Sequence, residues 1–560
     1  MNDSQNRVLI IGLDGATWDV LDPWMRDGTL PHLARLRDKG SWGVLRSTIP
    51  PVTAPAWSSF MTGKKPGKHG VFHFIRLFEE EKAGTASQFV SAETLRSPAI
   101  WDVLGHHDRM VGLINIPLTY PPRPVNGFMI SGLLTPKHAK IFTYPPELSG
   151  CLTDYQIDLD RFAGKTPYQD EFDEGSTTPT LEFLGEFRSM LEKRARASLD
   201  LIGLRPWDFF MVVFTGPDRL GHYFWNYHAP VNPESDNPEL TDGVRRYYIR
   251  LDEIVGELVE RAGRDTNILV MSDHGMGPVP PKQIHIATWL QQQGWLTARA
   301  RRAAVPGPDI ILARLRIGRD RLGRVMKWVP GLLKSRVVRR TINDRALAVD
   351  EQRSMAYSVP IFFNVTGIRL NVKGEAARKA AVQNLERNLS RISDPDTGKQ
   401  VITEVFPGRE YYSGVAAERV PDLIAIADPQ YCFKHALGFY SSIVTGRQDV
   451  RGPAKHRMEG IFMARGKGIP VRTEPVRSVH LEDIAPTALH LMGLPVPSDM
   501  DGRILTEIFS SQYNRSRPVA YEEPRGFWPN PVRPEFSSNA MSAEDEAIIE
   551  NQLRSLGYLE

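Results

Sequence analysis

The sequence predicts an α/β protein built on a mostly parallel central sheet, and three observations carry that reading. Short, almost continuously apolar runs recur along the chain, amphipathic helical stretches separate them, and three of the runs stop at acidic or imidazole side chains. The 560 residues are 41% hydrophobic and 24% charged, which excludes a fibrous or disordered chain and allows one large core or a few conventional domains.

The apolar runs are Val8–Leu13, Phe209–Phe214, Asn267–Met271, Leu423–Ala427 and Ile461–Ala464. A strand covered on both faces loses its polar alternation, so each run reads as a buried parallel strand. Between them, Leu30–Lys39, Thr180–Leu204 and Leu240–Ala262 repeat apolar residues at three- and four-residue steps, as helices packed on a sheet do. The first run ends at Asp14, the second just before Asp218, and the third at Asp273-His274. Ligands of open α/β sheets gather outside the carboxyl ends of the strands, so three such ends predict one shared site.

These elements assign residues 1–285 and 346–520 to a catalytic core. The stretch from about 79 to 179 is rich in Pro, Thr and Tyr, lacks periodicity, and is expected to form loops or lids over the site. Residues 290–345 form a basic helical insert. From Arg299 to Arg340 there are 13 Lys or Arg against Asp309 and Asp320, a local charge of +11 in a chain whose formal charge is +3. Ile311, Leu315, Leu322, Val325 and Val329 give this segment one apolar face. It is either a solvated helical hairpin or a surface attracted to an anionic membrane or substrate. Residues 521–560 form an arm and a terminal helix, with Ser542 and Asp545 at capping-box spacing and Gly557 as its C-cap.

Composition narrows the function further. The charge is too balanced for a wholesale nucleic-acid binder, and there is no nucleic-acid motif. Cys151 and Cys432 are too few for a disulfide scaffold or a thiolate zinc site. No apolar run reaches the ~18 residues needed to span a bilayer, and Met1–Arg7 lacks the features of a signal peptide. The expectation is a cytoplasmic protein.

The side chains at the strand ends point to metal chemistry. Asp218 and His222 are four apart, so one helical turn presents both to one cation. Asp273-His274-Gly275, Asp14 and His456 add carboxylates and imidazoles, a mixed oxygen–nitrogen set that suits zinc or manganese. Taken singly, each has an ordinary alternative as a hydrogen-bonded loop or helix pair.

In order along the chain stand Ile11-Gly12-Leu13-Asp14-Gly15, Thr53-x-Pro55, Gly63-x-x-Pro66-x-x-His69-Gly70, Asp218-x-x-Gly221-His222, Asp273-His274-Gly275-Met276, and His456 before Glu459-Gly460-Ile461-Phe462. With Asp483-Ile484-Ala485-Pro486-Thr487 and Met500-Asp501-Gly502, this set resembles the alkaline phosphatase superfamily, and within it the type I phosphodiesterase/nucleotide pyrophosphatase branch. The match is strongest to its prokaryotic phosphohydrolase/phosphomutase members. The resemblance implies a three-layer α/β/α core and a site for two divalent cations, zinc first and manganese second. One cation would be held by Asp218, His222 and His456, the other by Asp14, Asp273, His274 and the oxygen of Thr53. Thr53 would attack phosphorus and become a transient phospho-threonine, since a bound cation lowers the pKa of a hydroxyl that is otherwise a poor nucleophile.

Neighbouring positions separate the relatives. Sulfatases of the superfamily carry Cys or Ser followed by x-Pro-x-Arg, whereas here Thr53 leads and Trp57 stands where Arg belongs. Phosphoglycerate mutase relatives use Ser. Trp57 could stack on a base or fill the core, and Lys64, with Lys65 and Lys68, could clamp a phosphate. The nucleotide pyrophosphatase branch places an Asn after its His-Gly segment; this chain reads Val71-Phe72-His73-Phe74-Ile75, with His73 the candidate substitute.

The expected activity is hydrolysis of a small phosphate ester, a phosphodiester before a monoester, with a nucleotide or lipid head group as the substrate class. Phosphomonoesterase, phosphomutase and head-group transferase activities use the same site. A reading from another class makes the chain a membrane- or RNA-docking scaffold that uses its basic insert.

Overall fold

The computed structural model describes residues 6–77, 89–152, 154–159, 179–299, 348–414, 416–437, 442–446, 454–529 and 543–555. Two compact units emerge, one of Met1–Pro278 with Gly452–Glu560, the other of Val279–Arg451.

The first unit is organised by a sheet with nine strands among the described residues. In chain order its early strands are β1 (Val8–Leu13), β2 (Ser41–Arg46), β3 (Val111–Ile116), β4 (Gly127–Ser131), β5 (Thr143–Tyr144), β6 (Phe209–Phe214) and β7 (Asn267–Met271). The spatial order is Val476–His480, β2, Glu459–Arg465, β7, β1, β6, β3, β4, β5. Glu459–Arg465 runs antiparallel to β2 and β7, and β5 runs antiparallel to β4; the remaining pairs are parallel.

Alternate residues of the central strands explain the continuous apolar runs. Leu9, Ile11 and Leu13 of β1 join Phe210, Val212 and Phe214 of β6 in one core, while Val8 and Ile10 join Phe209, Met211 and Val213 in another. The first core is covered by helices α1 (Trp18–Arg26) and α2 (Pro31–Asp38), and the second by α3 (Thr53–Thr62), which is followed by the short turn α4 (Pro66–His69). Helix α5 (Ile100–His106) also packs on the second core, whereas α6 (Leu181–Leu204) packs on the first. Helix α7 (Gly216–Phe224) follows β6, and α8 (Pro238–Ala262) closes the first core. This is the expected three-layer α/β/α arrangement. The long helices lie where their periodicity put them; Thr180 caps α6 by accepting from the Phe183 N–H at 3.1 Å, and the side chain of Asn237 caps α8.

Three expectations need correction. The stretch 79–179 is not purely loop or lid, because it supplies β3, β4 and α5 to the central unit. The run Val111–Ile116 contains Gly112 and Asn115, which break the apolar signal. A Cβ at Gly112 would lie 2.7 Å from the rings of Phe128 and Phe210, so the glycine that hides the strand is what lets those rings meet. Ile461–Ala464 is a strand of the main sheet but an antiparallel one. Leu423–Ala427 is a strand of the second unit, and also antiparallel. Burial on both faces gives an apolar run whatever the strand direction.

In that second unit, Ala356–Phe362, Val365–Leu370, Leu423–Ala427 and Ile402–Pro407 form an antiparallel sheet in that order, backed by the helix Glu375–Leu389 over its own apolar core. The core boundary therefore falls near Pro278 rather than at 285, and residues 348–437 lie in the second unit rather than in the resumed core. The basic segment 299–340 lies outside the described residues apart from Arg299, as do Ser542 and Gly557. The terminal helix is present as Ala543–Ser555. No helix among the described residues is long and apolar enough to cross a membrane.

Candidate metal centre

The carboxyl ends of β1, β6 and β7 bring the expected side chains together. Asp14 follows β1, and Gly15 then turns the chain at φ 68°. A Cβ there would lie 2.8 Å from Cα of Asp218, so glycine alone lets these two acid-bearing turns approach. Helix α7 starts directly after β6, with Asp218 in its first turn and His222 in its last. Asp273-His274 follows β7 and leads into β8 (Gly275–Gly277). That short strand pairs antiparallel with Lys455–Arg457, setting His456 opposite Met276. Thr53 is the first residue of α3, after the extended Val52.

Asp218, His222 and His456 form one ligand group, and Asp14, Asp218 and His274 form a second. Nε2 of His222 lies 3.3 Å and Nε2 of His456 3.2 Å from Oδ1 of Asp218. Nε2 of His274 lies 3.3 Å from Oδ2 of Asp273, 3.7 Å from Oδ1 of Asp14 and 4.0 Å from Oδ1 of Asp218. Oγ1 of Thr53 lies 3.3 Å from the same nitrogen. Asp218 thus belongs to both groups, whereas the resemblance implied only one.

The imidazoles are oriented from behind. Nδ1 of His456 donates to the Pro51 carbonyl at 2.8 Å and Nδ1 of His274 to the Gly275 carbonyl at 3.1 Å, which turns both Nε2 lone pairs toward the carboxylates. Burial lowers the His222 pKa to about 4 and holds that of His274 well below its usual value, disfavouring the charged form of each ring.

The carboxylates crowd one another. Burial and then the charge of Asp218 push Asp14 up to about 8, and burial with the charges of Asp14 and Asp218 pushes Asp273 well above the carboxylate range. Burial also raises Asp218, but the charges and hydrogen bonds of His222 and His456 outweigh it and hold that group well below its usual value. Oδ1 of Asp14, Oδ1 of Asp218 and Oδ2 of Asp273 are buried without a well-formed hydrogen bond. Buried carboxylate oxygens without well-formed hydrogen bonds, set among imidazole nitrogens, make a donor set that suits a divalent cation.

The residues proposed for substrate contact fare differently. Trp57 is fully buried and offers no face to a base; its indole N–H donates to Oδ2 of Asp14 at 3.0 Å. The ring is accommodated by Gly12, where a Cβ would lie 2.6 Å from Cη2. Its position thus fixes Asp14, a connection that nothing in the spacing of the sequence announced. Trp57→Phe is expected to lower stability by about 1–3 kcal/mol in thermal denaturation and to weaken cation binding about tenfold in a chelator competition.

Lys64 does not stand ready for a phosphate: its ammonium pairs with Asp499. Lys68 reaches Asp501 at 2.6 Å, and the N–H groups of Asp501 and Gly502 both donate to the Gly63 carbonyl. The loop after α3 is therefore clamped by the carboxyl-terminal motif. His69 fixes the same loop through Ser59, with Nε2 2.9 Å from its Oγ. His73 is buried edge-on to Phe74, and burial lowers its pKa to about 4. Arg219 and Asp158, which bind one another beside Asp218, were not singled out from the sequence; the only signal was a cation directly after a candidate ligand aspartate.

Comparison with solved structures places the fold. Phosphonoacetate hydrolase from Sinorhizobium meliloti 1021, in complex with phosphonoformate, is 16% identical with a TM-score of 0.51, covering 87% of this chain and 96% of that one. Human ectonucleotide pyrophosphatase/phosphodiesterase 5 is 14% identical with a TM-score of 0.45, covering 90% and 100%. Comparison with curated protein sequences returns no match. A family model described as type I phosphodiesterase/nucleotide pyrophosphatase matches residues 8–438. That match takes in most of the chain, including Asp14, Thr53, Asp218 and Asp273-His274, so the chain belongs to this family of the alkaline phosphatase superfamily and is a hydrolase of phosphoric esters.

Proposed function

We propose that the chain cleaves a small phosphodiester through a phospho-threonine on Thr53, using two divalent cations held by Asp14, Asp218, His222, Asp273, His274 and His456. The supporting observation is the cluster of three buried, hydrogen-bond-poor carboxylate oxygens among three imidazoles, with Oγ1 of Thr53 at its edge. The six ligands are the ones the sequence motifs nominated, and their oxygen–nitrogen composition favours zinc over manganese.

When bound, the cations would supply a lowered hydroxyl pKa and a counter-charge for the attacking and leaving oxygens. The residues of the chain perform the remaining tasks. Trp57 holds Asp14, and the backbone carbonyls of Pro51 and Gly275 hold His456 and His274 in one tautomer. Thr53 opens helix α3, whose positive dipole end favours a negatively charged phosphoryl group. Oγ1 of Thr53 forms a bond to phosphorus as the bond to the leaving alcohol breaks. Water then attacks phosphorus and releases Thr53, so two inversions give net retention.

Metal analysis of the purified protein, combined with nitrophenyl mono- and diesters, tests the proposal. Two cations per chain and faster cleavage of diesters are expected. Full activity with one cation or none, or cleavage of monoesters alone, would overturn the corresponding part.

A further inference from the structure

The two oxygens of Asp218 have different surroundings. Oδ2 accepts from Nη1 of Arg219 at 2.7 Å, while Oδ1 faces the imidazoles of His222, His456 and His274. Arg219 is itself forked. Its Nη2 donates to Oδ2 of Asp158 at 2.7 Å and its Nε to Oδ1 of the same residue at 3.4 Å. Arg219 and Asp218 are fully buried, and the side chain of Asp158 is nearly so. A second buried arginine, Arg194, ties the same stretch to the end of β6: it donates to the Ile157 carbonyl at 2.5 Å and to Oγ1 of Thr215 at 3.0 Å.

We propose that Arg219, anchored by Asp158, is a positioning residue that dedicates Oδ1 of Asp218 to cation binding. The inference rests on the two-cation reading above. A carboxylate with both oxygens free can bind a cation through either or both of them. By occupying Oδ2, Arg219 leaves one oxygen, Oδ1, which lies 3.2–4.0 Å from Nε2 of His456, His222 and His274.

A lone buried guanidinium would repel the cations it serves. Asp158 cancels that charge, so the chain Asp158–Arg219–Asp218 presents one net negative charge at Oδ1. Lysine cannot replace the guanidinium, because a single ammonium does not hold two carboxylates in one plane.

An ion pair that merely stabilised the fold would behave differently, and paired variants distinguish the two. In the full-length chain, Arg219→Gln leaves Asp158 buried without its partner and Asp158→Asn leaves Arg219 with Asp218 alone, whereas the double variant places neutral groups able to hydrogen-bond at both positions. The double variant is expected to recover most of the melting temperature lost by the single ones. Its cation affinity, measured with zinc against a competing chelator, is expected to stay 10–100-fold weaker than wild type, with kcat reduced and KM little changed. Arg219→Lys is expected to share the affinity defect. A double variant that binds zinc as tightly as wild type would overturn the inference. Failure of the wild type to bind zinc would remove the two-cation reading itself, and the inference with it.

Discussion

Thr53→Ala protein is expected to lose turnover by roughly a thousandfold or more while still binding two cations and melting within a few degrees of wild type. The loss follows from position. Thr53 opens α3 with its hydroxyl 3.3 Å from Nε2 of His274, at the edge of the ligand cluster. The substitution removes that oxygen without disturbing the six ligand side chains, and alanine is compatible with the first helical turn. Thr53→Ser keeps the nucleophile and is expected to retain within about a hundredfold of wild-type turnover. Acid quenching during turnover should yield one phosphoryl group on the peptide containing Thr53 in the wild type and none in the alanine variant. Near-normal turnover by Thr53→Ala would mean that water attacks the substrate directly, and the phospho-threonine would have to be abandoned.

Removal of the cations is expected to make stability depend steeply on pH in the direction opposite to ordinary acid denaturation. Asp14 is pushed up to about 8 from 3.8, and Asp273 is also raised. Between those values the unfolded chain has released protons that the folded chain keeps at these two carboxylates, so their contribution to stability falls as pH rises toward about 8. Asp218 is shifted the other way, and its contribution is lost only at more acidic pH. Below about pH 6.5 the lowered pKa values of the buried His222, His274 and His73 act in the opposite sense, so the carboxylate effect stands alone between about pH 7 and pH 8, where it amounts to roughly 1 kcal/mol per carboxylate, or a few °C in melting temperature. Saturating zinc should abolish the slope by binding the deprotonated folded state, with release of protons that calorimetry in buffers of different ionisation enthalpy can count. A chelated protein whose melting temperature is flat or rises across this window would contradict the electrostatic account of the cluster.

Legibility of the sequence tracked how local each signal was. The strands β1, β6 and β7 announced themselves because burial on both faces makes them continuously apolar, and their terminal acids and imidazoles located the site. Helices α6 and α8 were legible from periodicity. β3 was not, because Gly112 and Asn115 interrupt its run for reasons of packing visible only in three dimensions. The directions of Glu459–Arg465 and Leu423–Ala427 were equally hidden, since direction leaves no mark on a buried apolar run. At the site, the ligands could be matched to motifs, but the parts of Trp57, Lys64 and Arg219 depend on partners far away in sequence, Asp14, Asp499 and Asp158. Of the two readings of Trp57, core filling holds and base stacking does not, while Lys64, the candidate phosphate clamp, engages Asp499.

The antiparallel strand Glu459–Arg465 lies between β2 and β7, and His456 immediately precedes it. During synthesis, β2 and β7 therefore leave the ribosome long before the strand that joins them exists, with the whole stretch Val279–Arg451 translated in between. Until then the nascent chain carries β2 with neither neighbour and β7 with one edge open, and it lacks one of the proposed ligands. Such edges invite pairing with other chains, which makes a holding chaperone useful during that interval. A protein shortened before His456 would lack both the seam of its sheet and a residue of the proposed metal centre.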